Sequence, residues 1–258
     1  MRVVTELLYG RNAVYETLRA GRRKAVSVEL ADGAKPTGRI SQIMELAASR
    51  KVPARLVPRA RLDKLNANHQ GVALEVEDYP YSDVVEILES AQTAGAVPFV
   101  LLIDSLQDPQ NFGVMLRTAE AVGVHGVIIP LARAVGVTPA VVNSSSGATE
   151  HLHIAQANLS QAIDALRESN VWIVGLDQEG QDIAGNDDRH LRGALGLVVG
   201  SEGEGLHQLT RKKCDVLLRL PMQGHVESLN AAVAGSVVLY MALMARRRVD
   251  AAGRPASK

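Results

Sequence analysis

Leu220-Pro221-Met222-Gln223-Gly224-His225-Val226-Glu227-Ser228-Leu229-Asn230 joins two mainly apolar runs of different kind. Upstream, residues 216–220 form a short run that stops at Pro221, as a strand would. Downstream, residues 229–247 carry a long helical pattern, entered through Ser228 and Asn230, the residue types that satisfy orphan N–H groups at a helix start. Ala231, Ala232, Ala234, Gly235 and Ser236 are small, so another backbone can pack closely against the beginning of that helix. Arg246-Arg247-Arg248 then places cations where the helix dipole is negative. A polar loop held between a strand and a buried helix is a place for a site.

The same grammar recurs upstream. Residues 98–104 read as a fully buried strand, and similar runs lie at 126–129, 153–155, 171–176 and 195–199, with helices at 113–122 and 159–169 between them. Apolar strands alternating with helices predict an α/β unit with a mostly parallel sheet covered on both faces. Such sheets bind ligands beyond the carboxyl ends of their strands. The loops after Asp104, Val199 and Leu220 therefore share one edge and are the candidate site loops.

The first of them, Asp104-Ser105-Leu106-Gln107-Asp108-Pro109-Gln110-Asn111-Phe112-Gly113, leads into a helix carrying Arg117. Asp108, Pro109 and Asn111 read as turn and capping chemistry. Arg117 does not, because the dipole disfavours a cation near a helix start, and this implies an anionic partner. Asp104 and Asp108 resemble a metal pair, but no further ligand set accompanies them and no metal is expected. The second loop, Gly200-Ser201-Glu202-Gly203-Glu204-Gly205-Leu206, is glycine-rich and acidic. Its acids would repel a phosphate, and it lacks both the Lys-Ser/Thr ending of a nucleoside-triphosphate loop and the spacing of a dinucleotide fingerprint. It suits a ligand that is cationic or carries hydroxyls and an amine. S-adenosylmethionine, with its sulfonium and ammonium, is such a ligand.

In 258 residues no apolar run approaches the length of a bilayer span. The beginning of the chain has no charged-then-apolar leader pattern, so a cytoplasmic location is expected. Cys214 is the single cysteine, which excludes an intrachain disulfide and a multi-cysteine zinc site, and it reads as a small residue at a core edge. Scarce aromatics argue against a platform that stacks many bases. Net charge is zero but split: residues 1–74 hold 14 Lys+Arg against 6 Asp+Glu, a net of +8, and residues 75–258 hold 14 against 22, a net of −8. Such asymmetry hints at a nucleic-acid module, with a merely solvated basic surface as the bland alternative.

That basic part has its own pattern. A helix follows Gly10 and stops at Gly21, then come a strand at 25–30, a helix at 40–49, a strand at 54–57, a short helix around Leu62 and Leu65, the turn His69-Gln70-Gly71 and a strand at 72–76. These make a small α/β domain over residues 1–78, ringed by Arg11, Arg19, Arg22, Arg23 and Lys24, the kind of cations that contact phosphates. Residues 79–97 read as a linker with one helix around 84–88, residues 98–248 as the second domain, and 249–258 as a flexible tail.

Together the three loops carry a resemblance. The segment from Asp104 to Arg117 with Asn111 and Gly113, the Val199-to-Leu206 loop and the Leu220-to-Asn230 loop resemble, in order, the motifs of the SpoU-type RNA ribose 2′-O-methyltransferases of the SPOUT superfamily. Ser145-Ser146-Gly147-Ala148 looks like that family's small-residue helix. The N-terminal part resembles its appended RNA-binding domain, itself like a ribosomal protein. Asn230-Ala231-Ala232 departs from the family's frequent Val and Ser after the Asn, which bears on local packing. The resemblance implies a deep trefoil knot in the C-terminal domain, against the usual rule that chains do not thread loops. It also implies a homodimer through that domain, S-adenosylmethionine held near Gly200, Leu220, Met222 and Leu229, and functional roles for Asn111, Arg117, Glu202, Ser228 and Asn230. The implied substrate is a guanosine ribose in large-subunit ribosomal RNA. Transfer RNA as substrate and a non-catalytic RNA-binding relative are the alternatives, and a nucleotide-dependent oxidoreductase fails on loop spacing and charge.

Overall fold

A computed structural model describes residues 4–132, 134–183, 188–201, 205–225 and 228–253. Its elements run β1 (Thr5–Tyr9), α1 (Arg11–Ala20), β2 (Ala25–Ala31), α2 (Arg39–Ser49), β3 (Ala54–Val57), α3 (Arg59–Asp63), β4 (Val72–Glu77), α4 (Val84–Thr93), β5 (Phe99–Ile103), α5 (Pro109–Ala121), β6 (Gly126–Pro130), α6 (Pro139–Ser144), β7 (His153–Ala157), α7 (Leu159–Glu168), β8 (Trp172–Asp182), β9 (Leu195–Val199), α8 (Gln208–Lys213), β10 (Val216–Arg219) and α9 (Ala231–Gly253). They gather into two units, one from residues up to Pro80 together with Gly136–His151, the other from Tyr81–Val135 and from Leu152 onward.

The first unit is built on a four-stranded sheet in the order β1-β4-β2-β3. β4 runs antiparallel to β1 and β2, and β2 runs parallel to β3. Leu8, Val28, Leu74 and Val76 from the strands are fully buried, as are Val14, Leu18, Ile40 and Ile43 from the helices. α1 ends where expected, at Gly21, whose left-handed φ of 66° lets its N–H return to the Thr17 carbonyl. β1 was not expected. Its five residues carry too little pattern alone, and its pairing with β4, Leu8 opposite Leu74, makes it a strand.

Gly136–His151 packs with this unit although it follows β6 in the chain. Asn143 Nδ2 donates to the Tyr9 carbonyl at 3.0 Å, and Tyr79 Oη donates to the Thr149 carbonyl at 2.8 Å. The small-residue stretch at Ser145-Ser146-Gly147-Ala148 is not a helix. Ser146 and Gly147 both take positive φ, 55° and 86°, which stops α6 before a short 3-10 turn at Ala148–His151. Gly147 is required sterically as well, since a Cβ there would lie 2.6 Å from the Glu16 Cβ.

The second unit is an α/β layer around a six-stranded sheet, β10-β8-β9-β5-β6-β7, in which every pairing is parallel. All five residues of β5 and of β9 are buried, which is why those strands read as unbroken apolar runs. The stretch read as linker contributes α4, started by a reciprocal cap in which Asp83 accepts the Glu86 N–H and Glu86 accepts the Asp83 N–H. α9 runs to Gly253, past the point where a tail was expected. Its early small residues do permit close packing: a Cβ on Gly235 would meet Met115 at 3.1 Å and Val199 at 3.2 Å. Arg246 does not serve its own helix end as expected. Its guanidinium donates to the Val97 carbonyl at 2.8 Å and to the Gly193 carbonyl, and lies over the Phe99 ring, tying α9 to the start of β5.

Candidate active site

Because all six strands are parallel, the loops after β5, β9 and β10 lie at one edge of the sheet, as expected. Two of them are tied together there. Asp104, the residue after β5, is buried, and its two carboxylate oxygens take the His207 N–H at 2.9 Å and His207 Nδ1 at 2.8 Å. Ser105 Oγ lies 3.2 Å from the same ring nitrogen, and Ser105 holds a left-handed φ of 68°. Asp108 caps α5 by accepting the Gln110 and Asn111 N–H groups, with Pro109 at the first helical position. Both aspartates are therefore committed to holding the loop. Among the described residues no cluster of His, Cys, Asp and Glu could hold a metal ion.

The glycine loop turns back on itself. Ser201 and Gly205 exchange backbone hydrogen bonds of 3.1 and 3.3 Å. This brings the Gly205 carbonyl so near Gly200 that a Cβ on Gly200 would lie 2.2 Å from it. Gly200 is thus fixed by backbone approach. Glu202 lies outside the described residues.

Beyond β10 the chain borders a cavity of about 710 Å³. Gly200, Leu220, Met222 and Leu229, the residues expected to hold a cofactor, all line it, together with Ser228 and Asn230. Asn230 is the residue before α9, and its Oδ1 accepts the Val233 N–H at 3.1 Å while its Nδ2 donates to Asn111 Oδ1 at 3.2 Å. One amide therefore caps α9 and binds it to the start of α5. Asn111 reaches the cavity region through that contact. Arg117 lies further along α5 with an exposed side chain and is not among the cavity's lining residues.

A fourth wall was missed. β8 pairs with β9 through Trp172–Leu176, then bulges, and pairs with β10 again only at Gln181 and Asp182. The excursion carries Asp177, Glu179 and Asp182 to the cavity, opposite Arg211 and Arg219. Gly180 permits it, for a Cβ there would lie 2.7 Å from Leu217 backbone atoms. The signal was available: the carboxyl-end rule applied to three loops applies equally to the polar Asp177-Gln178-Glu179 after the 171–176 run. Cys214 lies at the core edge as expected, and burial above all pushes its thiol up to about 12, away from the thiolate form.

Residues 98–240 match the SpoU rRNA Methylase family, and residues 7–82 match the RNA 2'-O ribose methyltransferase substrate binding family. The chain is 39% identical over 237 residues to the Bacillus subtilis protein YacO, named as a TrmH family tRNA/rRNA methyltransferase, which spans 91% of this chain and 94% of YacO. Its fold is similar to that of the SpoU methyltransferase AviRb from Streptomyces viridochromogenes, solved with AdoMet, at a TM-score of 0.76 and 24% identity over 95% of this chain and 91% of that one. It is also similar to the A. aeolicus TrmH/SpoU tRNA modifying enzyme, at a TM-score of 0.53 and 24% identity over 68% of this chain and 86% of the other. By the match over residues 98–240 and the identity over nearly its whole length, the chain belongs to the SpoU family of RNA methyltransferases.

Proposed function

We propose that this protein transfers a methyl group from S-adenosylmethionine to a ribose 2′-hydroxyl of large-subunit ribosomal RNA, at a guanosine. The observation that carries the reading is the convergence of Gly200, Leu220, Met222, Leu229, Ser228 and Asn230 on one cavity at the carboxyl edge of a parallel sheet. Its volume of about 710 Å³ suits a nucleoside-sized ligand. Its lining fits this cofactor: Leu220, Met222 and Leu229 offer apolar contact to an adenine, and the wall at Asp177, Glu179 and Asp182 offers carboxylates to a cation. When bound, S-adenosylmethionine supplies an electrophilic methyl on a sulfonium.

This chain's residues have the rest to do. Displacement at that methyl requires the hydroxyl in line, so positioning contributes much of the acceleration. Asn230, already bonded to Asn111, holds the two helix starts that would orient the hydroxyl. Guanidinium groups are poor proton acceptors, so the part assigned to Arg117 is to hold the adjacent phosphate and stabilise the developing alkoxide. Ser228 lines the same cavity, and Glu202 is assigned to the site by its place in the family's glycine-loop motif. In the first unit, Arg11, Arg19, Arg22 and Lys24 are cations suited to RNA phosphates, and this module over residues 1–78 is assigned to holding RNA while residues 98–248 carry the chemistry.

A homodimer through the second unit, with the knot, belongs to the same reading. Val233, Val237, Tyr240 and Met244 recur at helical spacing on α9 and are all exposed, an apolar stripe that a second copy would cover. No helix among the described residues is long and apolar enough to cross a membrane, and a ribosomal substrate is met in the cytoplasm.

The test is methyl transfer from labelled S-adenosylmethionine to ribosomal RNA and, separately, to transfer RNA, with the product mapped by resistance of 2′-O-methylated linkages to alkali. Label in ribosomal RNA at one alkali-resistant guanosine is expected, and Arg117→Ala should lower the single-turnover rate about a hundredfold to a thousandfold with cofactor affinity held within a few-fold. Label in transfer RNA alone would favour the substrate named for the A. aeolicus enzyme. A protein that binds RNA but no cofactor would be a non-catalytic relative.

A further inference from the structure

We propose that Asp177 supplies the charge by which the cavity distinguishes the sulfonium cofactor from its demethylated product. The proposal rests on the cofactor reading above and adds a residue to it. Among the described lining residues, three carboxylates, Asp177, Glu179 and Asp182, face two guanidinium groups, Arg211 and Arg219. The cations are already allotted. Arg219 Nε donates to Asp182 at 2.6 Å, and Arg211 Nη2 donates to Glu179 at 2.5 Å. Arg211 stands 3.6 Å from Asp177, beyond hydrogen-bond range.

Asp177 also differs in its surroundings. Its side chain is only 9% exposed, against 76% for Glu179 and 51% for Asp182. Water screens the two exposed pairs, so they contribute little field inside the cavity. A carboxylate nine-tenths buried with an ill-placed cation has lost much of its hydration without full compensation. Asp177 Oδ1 accepts the Glu179 N–H at 2.9 Å, which accounts for one oxygen. The other, Oδ2, looks toward the glycine loop, 3.9 Å from where a side chain on Gly205 would begin. Reduced screening there makes a ligand's positive charge worth more than it would be in water.

Methyl transfer to a hydroxyl breaks the sulfur–methyl bond, leaves the electron pair on sulfur, forms the oxygen–methyl bond and releases the hydroxyl proton. S-adenosylhomocysteine is therefore one positive charge poorer than S-adenosylmethionine, and otherwise nearly the same shape. Asp177 holds the first less tightly than the second, which favours exchange of product for fresh cofactor. A purely local role, closing the turn to Glu179, would be kept by an asparagine.

The experiment is calorimetric titration of the full-length protein with S-adenosylmethionine and with S-adenosylhomocysteine, beside melting curves without ligand. Asp177→Asn is expected to weaken S-adenosylmethionine about tenfold while S-adenosylhomocysteine stays within about twofold, the size expected for loss of one poorly screened charge pair. Arg211→Gln should raise the preference for S-adenosylmethionine several-fold, because it removes a competing cation, and it carries the test if Asp177→Asn melts too low to titrate. Equal loss for both ligands, no loss for either, or an unchanged preference in Arg211→Gln overturns the proposal. Wild-type protein that binds neither compound overturns the cofactor reading, and this inference with it.

Discussion

In the first unit Arg23 and Glu150 are both fully buried, with Nη2 and Oε1 3.1 Å apart, and in the second Asp177 is nearly as buried with its cation at 3.6 Å. The first pair joins the four-stranded sheet and the 136–151 segment from within, and neither residue lines the cavity described above. Arg23 also lies over the Tyr79 ring, and Tyr79 holds the Thr149 carbonyl. Asp177 lines an open cavity. The difference teaches how to read a buried charge: enclosed and paired with another part of the chain it specifies packing, and facing a cavity with less pairing it is available to a ligand. Neither is evidence of great stability. Among the described residues Arg23 Nε and Glu150 Oε2 have no hydrogen-bond partner, so even the enclosed pair is incompletely satisfied.

The largest expected effect breaks the enclosed pair. Arg23→Leu should destabilise the first unit by about 3–5 kcal/mol in urea unfolding, because Glu150 is left buried without its ion-pair partner. Adding Glu150→Leu should recover much of that loss. A single variant as stable as wild type would show that the pair does not specify the packing of residues 136–151. Burial above all raises the Glu150 pKa, with Arg23 opposing, so its contribution is present in acid and lost as pH rises through the folded value. The single variant should therefore recover stability on mild acidification.

A smaller effect is expected at Glu29, a buried carboxylate on β2 that is fully paired. Arg61 grips it through Nε and Nη2, both at 2.8 Å, and Arg55 adds a third contact at 2.7 Å. Those contacts, Arg61 first, outweigh burial and lower the Glu29 pKa. Its stabilisation is accordingly present above the ordinary value of 4.5 and lost as pH falls through the lowered one. Glu29→Gln should cost about 2 kcal/mol at neutral pH, and the gap should close in acid. A gap constant with pH would mean that packing, not charge, is at stake.

The smallest effect on stability is expected beside the cavity. Asn230→Ala removes the cap of α9 and should cost about 1 kcal/mol in a melting experiment. Its cofactor affinity and transfer rate should fall by more than that loss explains, since the same amide joins α9 to Asn111. Affinity and rate unchanged beside a lowered melting temperature would reduce Asn230 to a cap.

Much of the second unit was legible because its strands are buried on both faces. β5 and β9 appear as apolar runs whose direction follows from the helices between them, and parallel direction alone puts three loops at one edge. Asn230 was legible as a cap by residue type. Its bond to Asn111, 119 positions away, was not, because hydrogen-bond partners across a fold leave no mark on local periodicity. The polar half of β8 was hidden as a strand for the same reason, although its place at the carboxyl edge was readable. Asp177-Gln178-Glu179-Gly180 has no strand pattern, and only β10, rejoining at Gln181 and Asp182, carries the strand past the bulge. Residues 136–151 were read as part of the catalytic region by their place in the chain, whereas Asn143, Thr149 and Glu150 find their partners in the first unit.

The sequence by itself determined the class of the fold, the carboxyl-edge position of the site loops and the family, because each follows from local pattern: burial on two faces, turn residues at fixed places, three motifs in order. The tertiary structure alone decided which carboxylates share a cavity and which cation each one holds. Asp177, Glu179 and Asp182 are alike in sequence, and they differ in burial and in distance from Arg211 and Arg219. Electrostatic consequence depends on those distances and on the water excluded around them, and neither quantity is written in the order of residues.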